Sequence, residues 1–338
     1  MIISRAPFRI SLGGGGTDLP SYYEKYGGFL ISGAIDKHIY VGANKQFYPN
    51  YSLKYSQIEI KKDVNKIEHK LIREALKLLD IQPGIEITSL ADIPSKTGLG
   101  SSGSFLVALL NTLHCYNGNY SDKRTLAQEA CKIELEILKE HEGKQDKYVS
   151  AFGGVKAYVF NKNGFVKVVR LDNEDIIINN LEKNLFLFFT GHRRTTLASD
   201  VLKQQDQRIK KEESDMTEYM HEIKKIGLES KKALEDSNFE HFGSLLHKHW
   251  CIKKKYSNKT SNDEINKVYD FALKKGAIGG KTIGAPGGGF FMFYHLGPEK
   301  AHWNFIKSME DIGLKYMPFK FDSDGVKTIA RDNSNEML

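Results

Sequence analysis

The stretch that most constrains this chain is Pro94-Ser95-Lys96-Thr97-Gly98-Leu99-Gly100-Ser101-Ser102-Gly103-Ser104. Between Thr97 and Ser104, three of eight residues are glycine and four carry small hydroxyls. The apolar run Phe105 to Leu113 follows at once. This pattern predicts a loop that turns into the first turn of a helix. Such a junction offers backbone N–H groups and the positive end of a helix dipole, which together suit a phosphate. Glycine lets backbone approach a ligand and tolerates positive φ. Serine can cap the helix or ligate Mg²⁺. The plainer alternative is a glycine-rich turn with a serine N-cap, and these residues alone leave both open.

The rest of the chain predicts mixed strands and helices. Residues 1–12 alternate as a strand and end on Gly13-Gly14-Gly15-Gly16, followed by Thr17-Asp18-Leu19-Pro20. Four glycines cannot form the interior of a stable strand or helix, so they let backbone pass close to something. Asp18 is placed either to accept from hydroxyls or to cap a helix. Strands are expected over 28–48, 51–60 and 85–90, and a helix over 67–79. Residues 121–142 predict one helix with Leu126, Ala130, Ile133 and Ile137 as its apolar stripe. Glu134 sits at the edge of that stripe and needs a partner, a lysine or a metal, because burying it unpaired is costly. Residues 144–148 read as a loop carrying Asp146 between Lys144 and Lys147, then a strand runs from Val155 to Phe160. Leu185 to Phe189 is an intensely apolar strand, and 198–255 a helical hairpin with exposed faces. Further strands are expected at 277–283 and 290–294 around Gly284-Ala285-Pro286-Gly287-Gly288-Gly289, with a last helix at 298–312. Strands and helices mix without regular βαβ alternation, so the expected class is α+β.

Composition narrows the function classes. Hydrophobic residues make up 40% and charged residues 27%, a soluble globular balance. No apolar stretch approaches the ~18 residues of a membrane span. The N-terminus lacks the basic-then-apolar order of a signal peptide. Cys115, Cys131 and Cys251 are widely spaced, which points to a reducing compartment, the cytoplasm, and not to a disulfide framework or zinc site. The net charge of +7 lies largely in lysine clusters without interleaved aromatics, which reads as solvated helix faces, not a nucleic-acid surface.

Two familiar motifs fail on context. Gly98-Leu99-Gly100-Ser101-Ser102-Gly103 formally fits G-x-G-x-x-G, but that fingerprint wants its first glycine directly after a parallel strand. Gly279-Gly280-Lys281-Thr282 echoes a Walker A ending, yet the required earlier glycine is Lys275.

Three glycine-rich segments taken together are specific. Ala6-Pro7-Phe8-Arg9-Ile10-Ser11-Leu12-Gly13-Gly14-Gly15-Gly16-Thr17-Asp18 resembles the first motif of the GHMP kinases, the superfamily of galactokinase, homoserine kinase, mevalonate kinase and phosphomevalonate kinase. Pro94 to Ser104 resembles their second motif, with Gly103 in place of the usual alanine, a change expected to be harmless. Gly284 to Gly289 resembles the third. Order and spacing agree over essentially the whole chain. Gly-Gly-Gly-Thr-Asp-Leu-Pro, together with Gly143-Lys144-Gln145-Asp146-Lys147-Tyr148, is similar to the D-glycero-D-manno-heptose 7-phosphate kinases. Galactokinases carry Glu-His where this chain has Gly15 and Gly16.

The resemblance implies a two-domain fold, a ribosomal-protein-S5-like N-terminal domain over 1–180 and a ferredoxin-like domain over 181–338, with ATP and sugar between them. It implies that Gly98, Leu99, Gly100, Ser101, Ser102, Gly103 and Ser104 cradle the ATP phosphates. Ser102 and Glu134 would hold Mg²⁺. Asp146 matches the catalytic aspartate that takes the proton of the anomeric hydroxyl, as a base or an orienting carboxylate. Arg9 matches an arginine that stabilises developing charge or the aspartate. Asp18 matches a sugar-binding aspartate, with Gly16 and Thr17 shaping the pocket and Gly287 and Gly288 also on the substrate side. Charge logic, not a family motif, selects Arg193 and Arg194, with Lys281 as a further candidate, for the substrate's own phosphate. The implied reaction is phosphorylation of a heptose 7-phosphate to the 1,7-bisphosphate for nucleotide-heptose and surface-polysaccharide synthesis. The implied partners are small molecules, neither nucleic acid nor membrane, and a homodimer is left open. The alternatives are a fucokinase- or galactokinase-like enzyme and a non-catalytic binding protein of the same fold.

Overall fold

The computed structural model describes residues 1–191, 198–256, 263–284 and 289–331. The first half of the chain begins with β1 (Ile2–Gly13), α1 (Pro20–Tyr26), β2 (Gly28–Lys45), β3 (Tyr51–Lys54) and β4 (Ile58–Lys61). Then come α2 (Lys70–Leu78), β5 (Ile85–Ala91), α3 (Ser101–Tyr116) and α4 (Lys123–Cys131), which runs into a π-helical turn (Lys132–Ile137). The half closes with α5 (Gln145–Phe152), β6 (Val155–Phe160) and β7 (Val166–Arg170). The second half holds α6 (Glu174–Asn184), β8 (Leu185–Phe189), α7 (Ala198–Lys210), α8 (Ser214–Glu235) and α9 (Phe239–Tyr256). It ends with α10 (Asp263–Lys274), β9 (Gly279–Thr282), β10 (Phe290–Tyr294), α11 (Glu299–Asp311), β11 (Lys315–Met317) and β12 (Lys327–Arg331).

Two sheets organise these elements. The larger has eight strands, in the order β12-β1-β2-β5-β3-β4, with β6 on β2 and β7 on β6. Its spine is β2, read from sequence as two strands but continuous over 18 residues. The first part of β2 pairs with β6 and the last part with β5, while β1 runs along nearly its whole length. The smaller sheet is β11-β8-β10-β9, with every pairing antiparallel. The strand expected over 51–60 is instead a hairpin, β3 and β4, with β3 parallel to β5. The last strand does not stay with the second half: β12 pairs with β1, and Phe321 bridges Ile35. The class is α+β, with two domains.

The apolar periodicity finds its burial. On α3, Leu106, Val107, Leu109, Leu110 and Leu113 are wholly buried, so this helix is the central post under the large sheet. The strand Leu185–Phe189 lies at the heart of the second sheet, where Phe188 packs tilted or edge-on against Phe293, Phe305 and Tyr316.

The helix expected over 121–142 is where local reading departs most from the fold. It breaks after Cys131 into a π-turn, in which the Leu138 amide donates to Ile133 O at 2.9 Å. One inserted residue advances the register and rotates the following face. Leu126, Ala130, Ile133 and Glu134 keep the inward face at ordinary helical spacing, while Ile137, beyond the shift and expected in the apolar stripe, is 42% exposed. The segment expected as a loop at 144–148 is the start of α5, and Asp146 lies in its first turn.

Candidate active site

The second glycine segment does lead into a helix. Gly98 (φ 92°) and Gly100 (φ 82°) take left-handed backbone, and α3 begins at Ser101. The loop is tied to β1, because the Arg9 amide donates to Leu99 O at 3.0 Å. Ser101 and Ser102 are half-buried, in the turn whose N–H groups have no intrahelical acceptor. Ser104 is different. It is fully buried, its amide donates to Gly100 O at 3.0 Å, and its hydroxyl donates to Pro7 O at 2.8 Å. Its donors anchor the loop instead of pointing outward, which corrects its expected place among the phosphate-facing groups.

Asp146 reaches this helix start from α5. Arg9 Nε donates to Asp146 Oδ1 at 2.6 Å, and Arg9 Nη1 donates to Gly98 O at 2.7 Å. Both charged side chains are buried, so the pair is a desolvated, charge-assisted contact. Glycine makes it sterically feasible. A Cβ on Gly100 would stand 3.1 Å from the Asp146 carboxyl, and one on Gly103 would stand 2.7 Å from Asp146 Cβ. Gly103 is therefore not a neutral replacement for alanine: this chain seats Asp146 where an alanine methyl would be.

The neighbouring carboxylates are organised by a second buried pair. Glu134, buried on the same face as Leu126 and Ala130, is ion-paired to Lys147, the residue after Asp146. Lys147 also donates to Gly143 O at 3.0 Å. Burial works against the Lys147 charge, but Glu134, Glu142 and Asp146 outweigh it and hold its pKa above the ordinary lysine value. Glu134 thus has a protein partner, so its burial alone no longer calls for a metal. Burial pushes the carboxyl of Glu142 up to about 8, against the pull of Lys147.

Asp18 is buried beside this cluster. Its Oδ1 accepts from the Gly16 amide at 3.1 Å and from Gln145 Nε2 at 3.4 Å, and its Oδ2 accepts from the Gln145 amide at 2.9 Å. Burial raises its pKa, the Gln145 amide opposes this, and the charge of Asp146 adds to the rise. Gly143 gives it room, since a Cβ there would stand 1.9 Å from Asp18 Oδ2. Gly16 is half-buried next to Gln205. Thr17 is wholly enclosed, and its hydroxyl is engaged with Gly14 O and Phe29 O, both at 2.8 Å. It pins the first glycine run to β2 and does not face a pocket.

The second half of the chain reaches the same place. A Cβ on Gly289 would stand 2.1 Å from Thr97 O, so the end of the third glycine segment abuts the second. Lys281 on β9 is buried, and the field of Arg9 adds to the burial that lowers its pKa. Arg193, Arg194, Gly287 and Gly288 lie outside the described residues. The fold thus brings together Arg9, Gly98 to Gly103, Glu134 and Asp146, with Asp18 and Lys281 at the margins. Sequence reasoning noted the run from Gly143 to Lys147 but gave no role to Lys147, Gln145 or Gly143, and gave none to Glu142. The signal available was the run Gly143 to Lys147 itself, which opens on glycine and holds three charged residues in five.

This site and fold define a phosphoryl-transferring kinase of two α+β domains. The profile of the GHMP kinases N terminal domain matches residues 53–154. The chain is 31% identical over 343 residues to a D-glycero-alpha-D-manno-heptose 7-phosphate kinase of Campylobacter jejuni, covering 97% of this chain and 98% of that one. It belongs to the GHMP kinases. It is also 26% identical over 340 residues to the L-fucokinase/L-fucose-1-P guanylyltransferase of Bacteroides fragilis, covering 89% of this chain and 35% of that longer protein. Among solved structures, a D-glycero-D-manno-heptose 1-phosphate kinase from Bacteriodes thetaiotaomicron superposes with a TM-score of 0.78 at 25% identity, covering 98% of this chain and all of that one. No helix among the described residues is long and apolar enough to cross a membrane.

Proposed function

We propose that this protein uses ATP to phosphorylate the anomeric hydroxyl of D-glycero-D-manno-heptose 7-phosphate, giving the 1,7-bisphosphate. The observation that carries the reading is the buried Arg9–Asp146 pair packed against the glycine start of α3. There an acceptor-only carboxylate stands beside N–H groups suited to a phosphate. Heptose 7-phosphate as substrate is supported by the extent of similarity to the Campylobacter jejuni enzyme.

In this reading the backbone of Gly98 to Gly103 and the first turn of α3 hold the ATP phosphates. Asp146 orients the sugar hydroxyl and receives its proton as the oxygen attacks the γ-phosphorus. Arg9 fixes the position of the Asp146 carboxylate through its Nε hydrogen bond. Asp18 and Gly16 border the sugar, with Gln145 between Asp18 and Asp146. Ser102 and Glu134 are hard oxygen donors of the kind Mg²⁺ takes alongside phosphate oxygens, with Glu134 shared with Lys147. The ion would neutralise phosphate charge when bound. The domains are residues 1–180 and 181–338, with β12 lent back to the first sheet.

A panel of sugars and sugar phosphates with ATP, followed by ADP release, tests this. The expected result is a kcat/KM for heptose 7-phosphate well above that for unphosphorylated heptose, fucose or galactose. Preference for fucose would replace the reading with the fucokinase one. No turnover with any sugar would overturn it.

A further inference from the structure

The site as assigned leaves a buried cation unused. Lys281 on β9 and His249 on α9 are each 3% exposed, and Lys281 Nζ donates to His249 Nδ1 at 3.3 Å. Burial and the two adjacent lysines hold the His249 pKa well below its ordinary value, so the ring is neutral and accepts. A neutral acceptor does not cancel an ammonium charge. What acts on Lys281, besides burial, is another cation, Arg9, and together they bring its pKa down to about 7. Lys147 makes the contrast: it is buried as deeply and has Glu134 against it. No carboxylate among the described residues pairs with Lys281, and a buried ammonium without a counter-anion is strongly disfavoured, so its retention beside a reactive centre points to an anion that arrives with the substrates.

The location says which kind of anion. Lys253, four residues on from His249 along α9, donates to Thr282 O at 3.0 Å and Gly284 O at 2.6 Å, fixing the end of β9. The chain then passes to Gly289, which abuts Thr97, and Gly98 O accepts from Arg9. Lys281 lies within the field of Arg9, whose guanidinium in turn holds both Asp146 and Gly98 O.

We propose that Lys281 binds a phosphate oxyanion in the kinase cleft, with His249 holding its amine from behind and Lys253 fixing the strand that carries it. The inference rests on the sugar-kinase reading above. A phosphate oxyanion has two sources here, the γ-phosphate of ATP and the phosphate already on the sugar.

The test compares wild type with K281M, by calorimetric titration with ATP and with ADP and by kinetics with phosphorylated and unphosphorylated heptose. If the γ-phosphate is the ligand, K281M loses at least tenfold in ATP affinity and keeps its ADP affinity. If the sugar phosphate is the ligand, its KM rises at least tenfold, while ATP affinity and the KM of the unphosphorylated sugar hold. In either case ligand-free K281M, compared well below pH 7 where Lys281 carries its proton, melts a few degrees higher than wild type, because an uncompensated buried charge has gone. All four values within twofold of wild type overturn the proposal. So does a K281M that melts lower or fails to fold, since that assigns the lysine a structural partner. A wild type that binds neither nucleotide breaks the kinase reading itself, a result visible before any variant is made.

Discussion

Gly13-Gly16 and Gly98-Gly103 are both glycine segments that close or follow interior strands of the same sheet, β1 and β5, and they serve different ends. A Cβ on Gly14 would stand 2.2 Å from Phe29 O, and one on Gly13 would meet Ser230 Oγ at 3.1 Å. The absent side chains there admit β2 and α8, and the hydroxyl that follows, Thr17, is sealed in. In the second segment the absent side chains admit Asp146 and Arg9, and the hydroxyls that follow, Ser101 and Ser102, stay half-buried at a helix start. Glycine density marks close approach. The atoms that approach decide whether a segment is structural or reactive.

The comparison can be broken most sharply at Asp146. Asp146→Asn keeps the shape but weakens proton acceptance, and kcat should fall by about 10²–10⁴-fold while ATP affinity is nearly retained. Turnover close to wild type would remove the second segment's claim to be the reactive one.

Next in size is the support beneath it. Glu134→Gln leaves Lys147 buried without its main counter-charge, which should cost about 3–5 kcal/mol in denaturant unfolding. The same variant should demand more Mg²⁺ if Glu134 is also a ligand. A changed stability with an unchanged Mg²⁺ requirement would leave Glu134 as the structural partner of Lys147 alone.

The smallest expected effect sharpens the contrast directly. Gly103→Ala should cost about 1–3 kcal/mol by overpacking, and the loss should appear mainly in kcat because Asp146 is displaced. Gly14→Ala forces a methyl at φ 79° into a carbonyl, so its loss should appear in stability, with kcat per folded molecule kept. Reversal of these two readouts would invert the assignment of the segments.

Much of the site was legible before the fold was known. The glycines of the second segment stand out by composition, whereas Arg9 and Asp146 were singled out by their match to the family's motifs. Glu134 was noticed because a carboxylate at the edge of an apolar stripe needs a partner. That partner, Lys147, was not legible, because the contact depends on how α5 packs beside the end of α4. The π-turn sent Ile137 outward, against its periodicity. The role of Thr17 was hidden for a similar reason, since the carbonyls it holds belong partly to another strand.

The sequence by itself determined the α+β class, the positions of the three glycine segments, the strand and helix periodicities, and the identity of the acidic and basic residues around Asp146. These are local properties, set by backbone freedom and side-chain pattern within a few residues. Only the tertiary structure decided the pairings. Arg9 meets Asp146 across 137 positions of chain, Lys253 reaches Thr282 across 29, and β12 closes onto β1 from the other end of the molecule. Such contacts depend on burial that many elements share. A window on the sequence shows that a charge must be compensated, and the packed fold supplies the partner.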